Sequence, residues 1–206
     1  MGYFAWLVLS LVTDAPRLSI EAGTALASIT LGFGALWSVV ATARDRRVPV
    51  PIRTGWALLS LGVAANWLGD VVWSLAAVVG GGVASPSIAD VAYLAAYPLL
   101  FAGLVAVSHV WLRPIERARL DVDALIVLVV ALIALVVGLV GPGLRLLDGP
   151  NLTVRLLEVV YPAGSAMLLV GVALAWLRRG ALADGAWLTL LVGAFGSFFV
   201  ADILWA

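Results

Sequence analysis

Acidic side chains inside long apolar stretches are the residues of this sequence best suited to chemistry. Asp70 stands one helical turn after Asn66 and about one turn before Trp73, so the three side chains would share one face of a helix. A charged side chain at the centre of a membrane helix costs on the order of 2.5–3.5 kcal/mol on insertion scales. A residue kept at that cost either binds something or holds helices together, and Asp70 admits both interpretations.

A second stretch combines an acid with two tyrosines and a proline. Tyr93 and Tyr97 follow Asp90 at helical spacing, so these side chains also share a face. Pro98 comes next and leaves a backbone carbonyl without its helical partner at membrane depth. Asp90 itself is more simply explained as a first-turn acid that the helix dipole favours.

Glu158, Tyr161 and Pro162 repeat this order of acid, tyrosine and proline, and Asp202 places one more acid near the end of the sequence. We predict that these groups form an outward-facing polar pocket for a cation, a proton or a small ligand. Its candidate ligand-binding residues are Asn66, Asp70, Asp90, Tyr93, Tyr97, Glu158, Tyr161 and Asp202. The alternative is that they only join helices through hydrogen bonds, which are worth about 0.6 kcal/mol each on average.

The other residue types argue against a catalytic or metal site. The sequence has one histidine, two methionines and no cysteine, so it offers neither bis-histidine haem ligation nor a soft-metal site. It has no Ser/His/Asp arrangement, and we expect no enzyme activity, no cofactor and no metal. His109 is expected at a membrane interface, and Asp121 and Asp123 are expected to cap the start of a helix.

The elements that must position these residues are membrane-spanning helices. Of the 206 residues 64% are hydrophobic and only 12% are charged, with a mean hydropathy of +1.13, whereas a soluble protein has roughly a quarter of its residues charged. A bilayer core needs about 20 apolar residues per helix. Runs of that length lie at 21–43, 55–79, 90–111, 124–144, 156–177 and 186–206, and a shorter run lies at 3–12. The predicted fold is all-α, a polytopic transmembrane helical bundle of six firm spans plus one marginal N-terminal segment.

The positions of the arginines predict how this bundle sits in the cell membrane. Arginines crowd three alternate loops, 43–53, 112–121 and 177–185, and tryptophans flank the same loops. By the positive-inside rule these loops face the cytoplasm, which puts the candidate pocket on the outer side.

Two hairpins, 21–79 and 156–206, share an order of features: an outer acid, a Trp on each side of an Arg-bearing loop, and a closing Asp-x-x-Trp. This similarity is either a parallel internal repeat or a chance match between spans rich in Ala, Leu and Val. The last span ends while still apolar. Residues 1–206 are therefore expected to form one transmembrane domain, truncated at its C-terminus, of a longer protein.

Two segments carry a resemblance to a known family: Asn66-Trp-Leu-Gly-Asp70-x-x-Trp73, and the stretch 85–100 with Asp90, Tyr93 and Tyr97-Pro98. They resemble the N-terminal multi-span membrane (sensor) region of actinobacterial diguanylate cyclase/phosphodiesterase proteins, in which cytoplasmic PAS, GGDEF and often EAL domains follow. This sequence contains neither a GGDEF nor an EAL motif. The resemblance therefore implies a sensory or anchoring role and no cyclase activity.

Functions of two classes fit these observations. The first is a membrane-embedded sensory or anchoring module of a signalling protein, linked to cyclic-di-GMP turnover through a cytoplasmic output domain outside this chain. The second is a small transporter subunit with an outward-facing acidic ion or proton site. A third reading is a structural anchor. Expected partners are the lipid bilayer, a second copy of the chain in a homodimer, and a small ligand or cation on the outer side, whereas a net charge of zero predicts no nucleic acid.

Overall fold

The structure, a computed structural model, describes residues 17–80, 86–109, 112–143, 152–178, 192–196 and 200. It contains five long helices: α1 (Arg17–Arg44), α2 (Val50–Gly80), α3 (Ile88–His109), α4 (Pro114–Gly143) and α5 (Leu152–Arg178). Residues 192–196 are also helical. Nearly all of the described residues are helical and none of them lies in a strand, which confirms the all-α class. A helix satisfies its own backbone hydrogen bonds, as lipid requires.

Among the described residues, three helices are long and apolar enough to cross a membrane. They are Ala25–Arg44 in α1, Val50–Val78 in α2 and Ile88–His109 in α3, while α5 holds a shorter apolar segment, Val159–Ala173. The count of six spans stays a prediction. The marginal segment 3–12 and most of the span at 186–206 lie outside the described residues, and so does most of the second hairpin of the suggested repeat after residue 178.

The surface of α4 suits a lipid environment. Its large apolar side chains are 44–60% exposed, and they are Leu125, Ile126, Leu128, Val129, Val130, Leu132, Ile133, Val136 and Val137. Soluble proteins rarely expose a contiguous apolar surface of this extent. The exposure follows directly if lipid tails cover this surface.

Helices α2 and α3 pack as an antiparallel pair through a seven-residue repeat of glycines. Three α2 glycines stand seven residues apart, and each faces a bulky α3 side chain; the pairs are Gly55 with Val107, Gly62 with Leu100 and Gly69 with Tyr93. A Cβ on any of these glycines would come within 2.6 Å of its partner's side chain. In the same register, the side chain of Leu59 on α2 packs against the backbone of Gly103 on α3. Since the contacts recur every seven residues in opposite directions, the pair has the heptad geometry of a coiled coil.

The other helices assemble around this pair. Helix α5 runs parallel to α3, because Gly164 lies against Tyr97 and Gly171 lies against Phe101, further along both helices. Helix α1 is antiparallel to α2 and contacts it where the Trp67 indole N–H donates to the Ile29 carbonyl at 2.9 Å. The core of the bundle includes Leu104, Leu168 and Val172, each at most 2% exposed.

Most arginines of the described segments lie at one end of the bundle. The turn between α1 and α2 and the connection between α3 and α4 lie at the same end, because Gly55 packs against Val107. Much of the Arg-bearing segments 43–53 and 112–121 is helical. Only residues 45–49 form the connection between α1 and α2. The predicted loops were too long, because hydropathy marks the lipid-facing part of a helix and misses its polar first turns.

The start of α4 corrects one further expectation. The helix begins at Pro114, and the Glu116 carboxylate accepts a hydrogen bond from the Arg113 N–H at 2.8 Å, which caps it. Asp121 lies two turns further on and contacts His109 Nε2 at 2.7 Å. The prediction that Asp121 and Asp123 cap this helix was therefore wrong, because the helix starts before its apolar run.

Candidate functional site

Asp70 and Tyr93 meet at the end of the bundle opposite the arginines. The Tyr93 hydroxyl donates a hydrogen bond to Asp70 Oδ1 at 2.8 Å, joining α2 to α3. The contact depends on Gly69, since the tyrosine ring lies against its backbone and any larger residue would displace the ring. The heptad register of α2 and α3 thus brings an acid to the hydroxyl of a tyrosine 23 residues away.

Asp90 both caps α3 and joins it to α5. Ser87 precedes the first turn, and its N–H donates to Asp90 Oδ2 at 2.6 Å, the acid's half of a capping box. The Tyr161 hydroxyl of α5 donates to Asp90 Oδ1 at 2.5 Å. The simple first-turn interpretation of Asp90 is therefore incomplete, because its second oxygen reaches another helix.

Three tyrosine rings connect these two hydrogen bonds. Tyr161 is 8% exposed and packs edge-on against both Tyr93 and Tyr97, with ring centroids 6.3 Å apart in each pair. The Tyr97 hydroxyl lies 3.3 Å from Oγ of Ser165, which is fully buried on α5. Edge-to-face aromatic pairs at this spacing are favourable beyond the area they bury. We call Asp70, Asp90, Tyr93, Tyr97, Tyr161 and Ser165 the tyrosine cluster.

The remaining predicted site residues lie near this cluster or outside the description. Asn66 is half-buried one turn before Asp70 and lines a cavity with it. Glu158 lies on α5 one turn before Tyr161, but its side chain is outside the described part of the structure, and Asp202 is outside it altogether. Sequence reasoning missed Ser165, although it stands one turn after Tyr161. It also missed Ser87, the N-cap residue before α3.

Two cavities lined by described residues adjoin Asp70. The short cavity, of about 410 Å³, lies between α1 and the Asp70–Tyr93 pair, and its polar walls include Ser28 and Ser74. The long cavity, of about 480 Å³, begins at the same Asp70 and Ser28 and extends along α2 to Trp56. Both volumes fall within the range of small-molecule sites.

The electrostatics of the site are set by Asp70. Oδ1 accepts the hydrogen bond from the tyrosine hydroxyl, Oδ2 accepts none from the described residues, and Asp70 lines both cavities. At the opposite end of the bundle, His109 Nε2 lies 2.7 Å from Oδ1 of Asp121. No group of three His, Cys, Asp or Glu side chains in the described part of the chain could hold a metal ion. Asp70 can therefore accept a hydrogen bond from a molecule in either cavity or form an ion pair with its positively charged group.

Comparison with known proteins gives no relative: no family model, no curated protein and no solved structure matches this chain.

Proposed function

We propose that this chain is the membrane-embedded sensory or anchoring module of a signalling protein, with its Arg-bearing end in the cytoplasm and its tyrosine cluster on the outer side. The observation that carries the proposal is the tyrosine cluster itself, which joins α2, α3 and α5 beside two cavities at Asp70. A ligand that competes with Tyr93 for Asp70 would bind one arrangement of these helices better than another. Such differential binding is what shifts a two-state protein.

A continuous packed path could carry the shift to the other end of the bundle. Helix α3 is unbroken from Ile88 to His109, although it contains Pro98. Along its length it is held to α2 by the glycine contacts, and at its end His109 contacts Asp121 of α4. A displacement of α3 at the tyrosine cluster would therefore move the beginning of α4.

The transporter alternative needs a polar route through the bundle. Between Arg53 and Asp70 on α2, and between Asp90 and His109 on α3, no residue is charged. The α2–α3 contacts in this region are made by Leu59, Leu100 and glycines. A binding site at one end of an apolar interface favours sensing over ion transfer.

Two observations support the orientation and the link to cyclic-di-GMP. Both described Arg-bearing turns lie at the end opposite Asp70, as the positive-inside rule requires of cytoplasmic segments. The link to cyclic-di-GMP turnover rests on the resemblance of residues 66–73 and 85–100 alone.

The test uses the full-length protein in native membranes, with cyclic-di-GMP turnover as output. Asp70→Asn keeps the shape of the side chain and removes its charge, and should lock or abolish the response while the protein still inserts. Asp45→Asn is the matched control, since Asp45 lies in the exposed turn at the arginine end and Asn retains its hydrogen bond to the Arg47 N–H. A normal response from Asp70→Asn would leave Asp70 a packing residue and refute the sensor.

A further inference from the structure

The long cavity has the shape of a slot along the bundle. On α2 its wall runs from Trp56 to Asp70, which is about 20 Å at the helical rise of about 1.5 Å per residue. Opposite walls come from α1, α5 and Phe195 of the helical segment 192–196. A cavity that is long and bounded by several helices suits an extended molecule better than a compact one.

The lining changes from apolar to polar along this slot. Toward the arginine end it consists of apolar side chains such as Val39, Trp56 and Leu59. Toward the tyrosine cluster it gains Ser28, Asn66, Asp70, Tyr97 and Ser165. Ligand sites commonly combine a largely apolar wall with a few convergent polar groups that fix orientation. The polar groups here converge at one end only.

Charge decides which head group this polar end would accept. Asp70 lines both cavities, its Oδ2 accepts no hydrogen bond from the described residues, and no described basic side chain pairs with it. A carboxylate held in an apolar span is stabilised most by a partner that brings both a positive charge and an N–H donor. An anionic head would be repelled, and a neutral hydroxyl would leave the charge uncompensated.

We propose that the long cavity binds an elongated apolar molecule with a single primary-amine head, with its ammonium group on Asp70 and its chain along the slot toward Trp56. This inference rests on the proposed function only in treating the Asp70 end as the ligand-binding end. If both proposals hold, the signal is a long-chain amine, and the long cavity binds it as it would bind a lipid chain.

The experiment measures binding of tritiated hexadecylamine to the purified full chain in phosphatidylcholine nanodiscs, with empty nanodiscs as background. We expect one saturable site per chain. Asp70→Asn should weaken binding at least tenfold by removing the charge that holds the head. Ala35→Phe should abolish it, because Ala35 lines the slot, whereas Ala41→Phe, on an exposed position of the same helix outside both cavities, should bind normally.

Competitors separate the parts of the ligand. Ethylammonium and hexadecanoate should each displace hexadecylamine at least tenfold less well than unlabelled hexadecylamine does. If ethylammonium displaced as well as unlabelled hexadecylamine, the site would be a simple cation site. If hexadecanoate did so, Asp70 would have no role in selecting the head group. Either result overturns the proposal. So does the absence of saturable binding, or unchanged binding by Asp70→Asn and Ala35→Phe when circular dichroism shows both variants folded.

The two proposals fail separately. If hexadecylamine does not bind but Asp70→Asn still abolishes the response of the full-length protein, the ligand class is wrong and the sensor stands. If hexadecylamine binds as described but Asp70→Asn responds normally, the site exists without a sensory role.

Discussion

Replacing Gly69 by alanine should break the tyrosine cluster from the α2 side. A Cβ at Gly69 would lie 2.6 Å from the Tyr93 ring, with two further ring atoms within 2.9 Å. The ring cannot bend away, and Tyr161 packs against it from the other side. We expect the ring to move off Gly69 and the hydrogen bond from Tyr93 to Asp70 to be lost or lengthened.

The magnitude follows from a comparison with a second glycine. Gly34 on α1 is exposed and has nothing within 4 Å of the position of an added Cβ. Both substitutions gain the same helix propensity, up to about 1 kcal/mol. Only Gly69→Ala adds overpacking, about 1–3 kcal/mol, and loss of an interhelical hydrogen bond, about 0.6 kcal/mol. Gly69→Ala should therefore be less stable than Gly34→Ala by about 1.5–3.5 kcal/mol.

The assay is unfolding in mixed micelles by increasing fractions of dodecyl sulfate, followed by circular dichroism. A third variant isolates the ring: in a Tyr93→Ala background, Gly69→Ala should cost nothing and gain propensity instead. If Gly69→Ala proves as stable as Gly34→Ala, or if its cost persists without the ring, the close approach of Gly69 to Tyr93 is wrong.

Three further outcomes follow from the described contacts. Tyr161→Phe should lower the free energy of unfolding by about 0.6 kcal/mol, and by no more than about 1.7 kcal/mol, because Asp90 loses one of its two hydrogen-bond donors. A larger loss in the same micelle titration would mean that packing also changed. The chain has no cysteine, so single Pro86→Cys and Arg47→Cys variants, both at exposed positions, can be labelled in intact cells with an impermeant maleimide. The cysteine at position 86 should react and the one at position 47 should not. The reverse pattern would mean that the topology is inverted. Asp121→Asn should cost under about 1 kcal/mol, since its pair with His109 is 34% and 56% exposed on the two side chains; a loss above about 2 kcal/mol would contradict a surface pair.

The helical class and the proximity of Asp70 and Tyr93 at one end of their helices could be predicted from the sequence. Hydropathy locates helices because lipid selects for apolar side chains over about 20 residues. It also placed Asp70 and Tyr93 near the same end of adjacent helices, since antiparallel neighbours bring together positions equally far from their turn. Helix ends were harder, because the first turns of α4 are polar and carry no hydropathy signal.

Side-chain pairing could not be predicted to the same degree. The repeat of Gly55, Gly62 and Gly69 was present in the sequence, but among 21 glycines a spacing of seven has no meaning until a partner helix is known. The bond from Tyr161 to Asp90 depends on which helices are neighbours, and residues 71 positions apart give no local signal of that. Serines such as Ser165 are equally inconspicuous, because small polar residues are common at helix interfaces in membranes.

The most direct test of the central claim, an acidic ligand site at Asp70 on the outer side, is the reactivity of a cysteine at position 28. Ser28 lines both cavities with Asp70, and Ser28→Cys is nearly isosteric. In oriented vesicles, a cationic methanethiosulfonate added outside should modify Ser28→Cys several-fold faster than an anionic one, and Asp70→Asn should remove that preference. Modification only from the arginine end, or equal rates for both reagents with Asp70 intact, would contradict the account.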